Sequence, residues 1–261
     1  MPDPVEAILH GGDLTAYLEA GEPYWRQLGS LRRIYTPTPG GLRALAYDCG
    51  PDPKLPSYAF AAFSAPSPEG TLLQRSVVVL WLGRPVLLLF DLCQGSDHPA
   101  RWILDGLEDL QLEGKTVSFR VPGSPGRFHL STVWPAAPEV SRTRGGIEVL
   151  ANRTAEPVFM HVLRTVPGPE ASPVSGFELA GARMGDWVVL FHTESRTARS
   201  PLSFETLGGE KVRVLLTGLA PGAWELWRNG WLEDPDGVVR PEAAALYFEA
   251  RPGDFFLRRL G

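Results

Sequence analysis

Lysine is nearly missing from this chain. Lys54, Lys115 and Lys211 are three of 25 basic residues, and Ile and Asn are scarce too. A GC-rich genome produces that bias most simply. Cysteine is down to two, Cys49 and Cys93. Two thiols allow one disulfide at most, which excludes the dense cross-linking of a small secreted scaffold. Without CxxC or a Cys/His spacing, a structural zinc module is excluded as well. Positive charge is in deficit, with 25 basic against 30 acidic side chains and a net charge of −5. The only adjacent basic pairs are Arg32–Arg33 and Arg258–Arg259, so the basic stripe of a nucleic-acid binder is absent. Long apolar runs are missing too. The longest, Val77–Leu82 and Pro85–Phe90, are broken by Gly83-Arg84 and are too short to cross a bilayer. The N-terminus lacks the charged and apolar regions of a secretory signal, so a soluble cytoplasmic protein is expected.

What remains is a globular β pattern. Of the 261 residues 44% are hydrophobic, with 28 Gly and 25 Pro and no period among them, which rules out disorder and collagen. Asp13 is placed to cap a short helical entry segment over residues 1–30. From residue 31 to 261 short apolar or alternating runs recur between Gly, Pro, Asn and Asp. They include Leu72–Leu82, Val86–Leu92, Arg127–Trp134, Val158–Arg164, Phe177–Leu179, Trp187–His192 and Ala223–Trp227. No amphipathic helix separates them, so a doubly wound α/β sheet and a TIM barrel are excluded. The spacing predicts an all-β, mostly antiparallel large sandwich, either one unit or two stacked sheet pairs. Val77–Leu82 and Val86–Phe90 are apolar on both faces and belong at its centre. Gly83-Arg84 suits a two-residue type II′ hairpin and Asn229-Gly230 a type I′ hairpin.

Four groups of residues are candidates for chemistry. His129, His161 and His192 sit one per strand, and three converging imidazoles would suit a metal. The plainer account makes each a half-buried strand histidine, and no metal or other cofactor is assigned. After Asp91 come His98, Arg101 and Trp102, a mixture that suits a sugar ring and its polar groups. Here the plainer account is a turn with an Arg–Asp pair. Trp224, Trp227 and Trp231 cluster around the Asn229-Gly230 turn; Trp224 and Trp227 are three apart, so on one strand they face opposite sides: one core, one exposed. Arg142, Arg144 and Arg153 around Gly145-Gly146 read as a solvated loop. No GxSxG, Walker loop or GxGxxG is present.

Several stretches, taken in order, resemble the C-terminal β domain of heparinase II/III-type polysaccharide lyases over residues about 70–261. They are Gln74–Asp91, with Arg75 opening one strand and Asp91 closing the next, then His98 and Trp102, Pro157–Leu163, Gly185–Phe191, Gly218–Leu226 and Gly253–Leu260. The resemblance implies a supersandwich fold and contact with polysaccharide. The family's helical toroid and its catalytic histidine segment have no counterpart in these residues, so no catalytic residue carries over. The expectation is a non-catalytic carbohydrate-binding module. Trp102, Trp224 and Trp227 would stack on rings, and Arg75, His98 and Arg101 would bond polar groups. Two alternatives stand beside it: a reduced, metal-assisted sugar enzyme, and an assembly module that pairs with a protein partner or a second copy of itself.

Overall fold

In the structure, a computed structural model, the described residues are 43–261 without 53–55, 67–71, 95–100, 106, 121–125, 151–157, 167, 169, 195–196 and 200. The expected helical segment over residues 1–30, the run at 31–35 and His98 lie outside them. Every element among the described residues is a strand, mostly antiparallel, as the sequence predicts. None of those residues forms a helix long and apolar enough to cross a membrane. The chain divides into two compact units, one built on Tyr58–Gly168 and the chain up to Tyr47, the other on Pro169–Gly261 with Asp48–Ser57.

The first unit contains β1 (Arg43–Gly50) up to Tyr47, its last three residues falling in the second, and β2 (Tyr58–Pro66), β3 (Leu72–Trp81), β4 (Pro85–Gln94), β5 (Arg101–Asp105), β6 (Glu108–Glu113), β7 (Thr116–Arg120), β8 (Arg127–Trp134), β9 (Glu139–Arg142), β10 (Gly146–Leu150) and β11 (Val158–Arg164). Eight of them form one sheet in the order β1-β2-β3-β4-β11-β8-β7-β6, and β5-β10-β9 form a second. The central place of β3 and β4 follows from their side chains. Val77, Val79, Leu87 and Leu89 are buried on one face, and Val78, Leu80, Leu88 and Phe90 on the other. The first face packs against Trp102 and Leu104 of β5 and Ile147 and Val149 of β10, closing one hydrophobic core between the two sheets. The β3–β4 turn differs from expectation. Trp81 pairs with Pro85, so the loop takes three residues, Leu82, Gly83 and Arg84. Gly83 keeps the positive φ, 71°, that the tight reversal requires.

The second unit holds β12 (Ser172–Phe177), β13 (Leu179–Met184), β14 (Trp187–His192), β15 (Leu202–Thr206), β16 (Val212–Thr217), β17 (Gly222–Arg228), β18 (Trp231–Val239), β19 (Ala245–Ala250) and β20 (Gly253–Leu260). They form a single sheet, β18-β17-β20-β15-β12-β13-β14-β16-β19, with β14 and β16 parallel. Its two ends share one core: Val239 of β18 and Leu246 of β19 join the same cluster as Leu190, Val214, Trp224 and Leu257. The Phe248 ring of β19 lies 5.5 Å from Phe255 of β20, although many strands separate them along the sheet. The sheet is therefore rolled over on itself. Two glycines at mid-sheet allow the roll. A Cβ at Gly176 would lie 2.1 Å from the Ser203 carbonyl oxygen, and one at Gly181 would lie 2.0 Å from that of Val189. The run Phe177–Leu179, expected as a strand, is the β12–β13 turn, with Glu178 at φ 57°. The Asn229-Gly230 hairpin forms as expected, with φ 50° and 80°. Cys49 is a free thiol.

Candidate functional site

Three constellations stand out, one in the first unit and two in the second. The first is buried. In the β3–β4 register Arg75 lies opposite Asp91. Its Nε and Nη2 donate to the two Asp91 carboxylate oxygens, each at 2.6 Å, in bidentate geometry. The Trp102 indole N–H donates to Asp91 Oδ2 at 2.9 Å. The Trp102 ring lies 3.8 Å, centroid to centroid, from the ring of His161 on β11. The His161 Nδ1 meets the Thr132 hydroxyl at 3.1 Å, and its Nε2 is buried with no partner. Burial first, and then the Arg75 charge, push the His161 imidazole down to about 3, so it is neutral.

This cluster corrects two expectations. Trp102 is buried between the sheets and offers no ring face to a ligand. Arg75 spends two of its N–H groups on Asp91. The plainer account expected an Arg–Asp pair among the residues after Asp91, but the arginine that Asp91 receives is Arg75 of the neighbouring strand. Arg101 pairs with Leu150 at the start of β5. The three-histidine metal idea is also corrected. His129 lies opposite Arg164, and His161 opposite Thr132, so strand alternation turns the two imidazoles to opposite faces of one sheet. His129 is half-buried and held below its ordinary range by burial and by the Arg127 and Arg164 charges. His192 belongs to the second unit.

The second constellation gathers Glu178, His192 and Glu194, whose donor atoms lie within 4.8 Å of one another. The pairing of Leu179 with His192 brings the β12–β13 turn beside the end of β14. The His192 Nε2 lies 3.3 Å from Glu178 Oε2, while its buried Nδ1 has no partner. A metal on Nε2 would leave Nδ1–H without the acceptor that ligating histidines usually have, so the set fits a metal poorly. The sequence signal for it is the closeness of His192, which ends β14, and Glu194, two residues beyond it.

The third is open to solvent. Trp224 and Trp227 divide as alternation predicts. Trp224 is 0% exposed, its indole N–H donating to the Ala220 carbonyl at 3.0 Å, so the expectation that it stacks on a ligand is overturned. Trp227 turns outward. It sits opposite Leu232 of β18 on one side and Phe256 of β20 on the other. Phe256 in turn faces Ser203 of β15, and Ser203 faces Phe177 of β12. Cross-strand partners share a face, so Leu232, Trp227, Phe256, Ser203 and Phe177 make one outward row across five strands. Leu232 is 45%, Phe256 40% and Phe177 58% exposed. The Trp227 indole N–H donates to Glu225 Oε2 at 3.2 Å. Arg258 binds the same oxygen through Nε at 3.0 Å and Nη2 at 2.6 Å. Arg258 first, then Trp227, hold the Glu225 carboxyl below its usual range, and the carboxylate fixes the indole plane in return.

These strands coincide with a known domain. Residues 174–259 match the family model of the heparinase II C-terminal domain. The second unit thus carries a heparinase-like C-terminal β domain, and the matched span is narrower than the resemblance that begins near residue 70. Among solved structures, the heparan sulfate lyase HepC from Pedobacter heparinus is similar at 12% identity and a TM-score of 0.39. That likeness covers 71% of this chain and 31% of HepC, so the chain spans about a third of that protein. No curated protein sequence matches the chain.

Proposed function

We propose that the second unit is a non-catalytic carbohydrate-binding module and that its ligand lies on the outward row centred on Trp227. The observation that carries this reading is the row itself, with three exposed or half-exposed aromatic rings in register across neighbouring strands. Aromatic faces bind the C–H faces of sugar rings through dispersion and desolvation, and monomers rarely leave such a patch bare without use. The heparinase-like domain supports it, because the relatives named with that domain act on polysaccharide. Of the residues expected to stack, only Trp227 lies where stacking is open to it.

The test is tryptophan fluorescence and isothermal titration of the full chain against soluble polysaccharides, wild type beside Trp227→Ala. Quenching and a measurable Kd that weakens at least tenfold in Trp227→Ala is the expected result. Parallel absorbance at the wavelength of unsaturated lyase products should stay flat. A rise in that absorbance would make the chain an enzyme, and binding undiminished in Trp227→Ala would move the ligand elsewhere.

A further inference from the structure

Resting on that reading, we infer that the glycan on this face is uncharged and linear, and that it runs across the strands along the row.

The charge around the row decides the class. Glu205 and Asp254 stand directly opposite each other on β15 and β20, two residues along from Ser203 and Phe256. Strand alternation points both out of the same face as the row. Both are exposed, and among the described residues neither has an ion-pair partner. The cation of the face, Arg258, is bound to Glu225 through two N–H groups on one oxygen. The ledger for these groups is three carboxylates and one guanidinium, so the surface beside the rings is acidic. Like charges held opposite each other across a ladder also repel. Such a face repels a sulfated or uronate-rich chain. Its carboxylates instead accept hydrogen bonds from neutral sugar hydroxyls, and charge-assisted bonds of that kind are the stronger ones.

The register decides the direction. Adjacent strands lie roughly 5 Å apart, so Trp227 and Phe256 are spaced by about one pyranose unit, and Phe256 and Phe177 by about two. Between the last two sits Ser203, whose side chain takes the position of a hydroxyl partner. A chain laid along a strand would meet Trp227, then the Glu225–Arg258 pair, then small Ala223, and would find one ring only.

The experiment titrates the full chain with neutral β-glucan and xylan, and separately with heparin and alginate, at low and moderate salt. The proteins are wild type, Trp227→Ala, Phe177→Ala, and the double variant Glu205→Lys with Asp254→Lys. The proposal expects wild type to bind a neutral glycan with little salt dependence, and to weaken at least tenfold in Trp227→Ala and at least threefold in Phe177→Ala. It expects heparin to be retained only by the double lysine variant. Tight, salt-sensitive binding of heparin or alginate by wild type that still needs Trp227 would overturn the neutral class and leave the carbohydrate reading standing. Full binding in Phe177→Ala would overturn the cross-strand direction alone. No binding to any glycan would overturn both.

Discussion

Replacing Asp91 by alanine should cost the first unit several kcal/mol. The carboxylate is 2% exposed and accepts from Arg75 Nε, Arg75 Nη2 and the Trp102 indole. Truncation leaves the guanidinium facing an apolar sheet interior and removes an indole acceptor. Breaking a buried pair in this way costs about 3–5 kcal/mol. Arg75 keeps 14% of its side chain open to water, so the lower end, about 3 kcal/mol, applies. At roughly 2–4 °C per kcal/mol for a unit of this size, the melting temperature should fall by about 6–12 °C. The assay is calorimetry with a urea series for Asp91→Leu, Arg75→Met and the two combined, which close one cycle, with Asp91→Ala beside them. An apolar pair of similar volume removes both charges together, so the double variant should be more stable than Asp91→Ala, with a coupling of about 2 kcal/mol. A melting temperature within about 2 °C of wild type in Asp91→Ala would refute this account. So would single losses that simply add.

Other consequences follow from the same geometry. His161 is neutral in the folded state down to about pH 3 and takes a proton near 6.5 when unfolded. Its depressed value therefore weakens the fold as pH falls through 6.5, at up to about 1.4 kcal/mol per pH unit. His161→Phe should remove that slope between pH 6 and 4 in denaturant titrations, and a ring signal assigned to His161 by its loss in that variant and titrating near pH 6 would contradict it. Gly176→Ala and Gly181→Ala each drive a methyl into a backbone carbonyl, so each should lose about 3 kcal/mol or fail to fold, read by thermal melts. Trp224→Ala should lose about 3–5 kcal/mol from the core. Trp227→Ala should lose less than about 1 kcal/mol while glycan binding weakens at least tenfold. Equal stability losses in the two would show that Trp227 is core as well.

Local chemistry made much of the fold readable. The doubly apolar runs around Val78 and Leu88 name the centre of the first sheet, because only strands covered on both sides tolerate that composition. Asn229-Gly230 names its own hairpin, since both residues accept positive φ. The opposite fates of Trp224 and Trp227 follow from alternation alone. What was not readable is set by pairing at long range. Nothing local says that β5 joins a separate small sheet, which is why Trp102 looked like a stacking residue and is instead buried on Asp91 and His161. β12, Ser-Pro-Val-Ser-Gly-Phe, carries turn residues where its neighbours cross closely, so its strand character was hidden and its turn was read as strand. The outward row was invisible for the same reason. Phe177 and Phe256 are far apart in the chain, and only the order β20-β15-β12 aligns them.

The place of β20 has a consequence for how the second unit comes into being during synthesis. It follows every other described strand in sequence, yet it lies inside the sheet, hydrogen-bonded to β17 on one side and β15 on the other. Until residues 253–260 emerge from the ribosome, β15 and β17 each present a long open edge, and Phe204, Trp224 and Leu226 lack the cover of Phe255 and Leu257. Open edges beside bare aromatic surface recruit other strands. The nascent unit therefore stays unfinished until residues 253–260 are made. A chain cut just before residue 253 would be a sheet split in two rather than a shortened one.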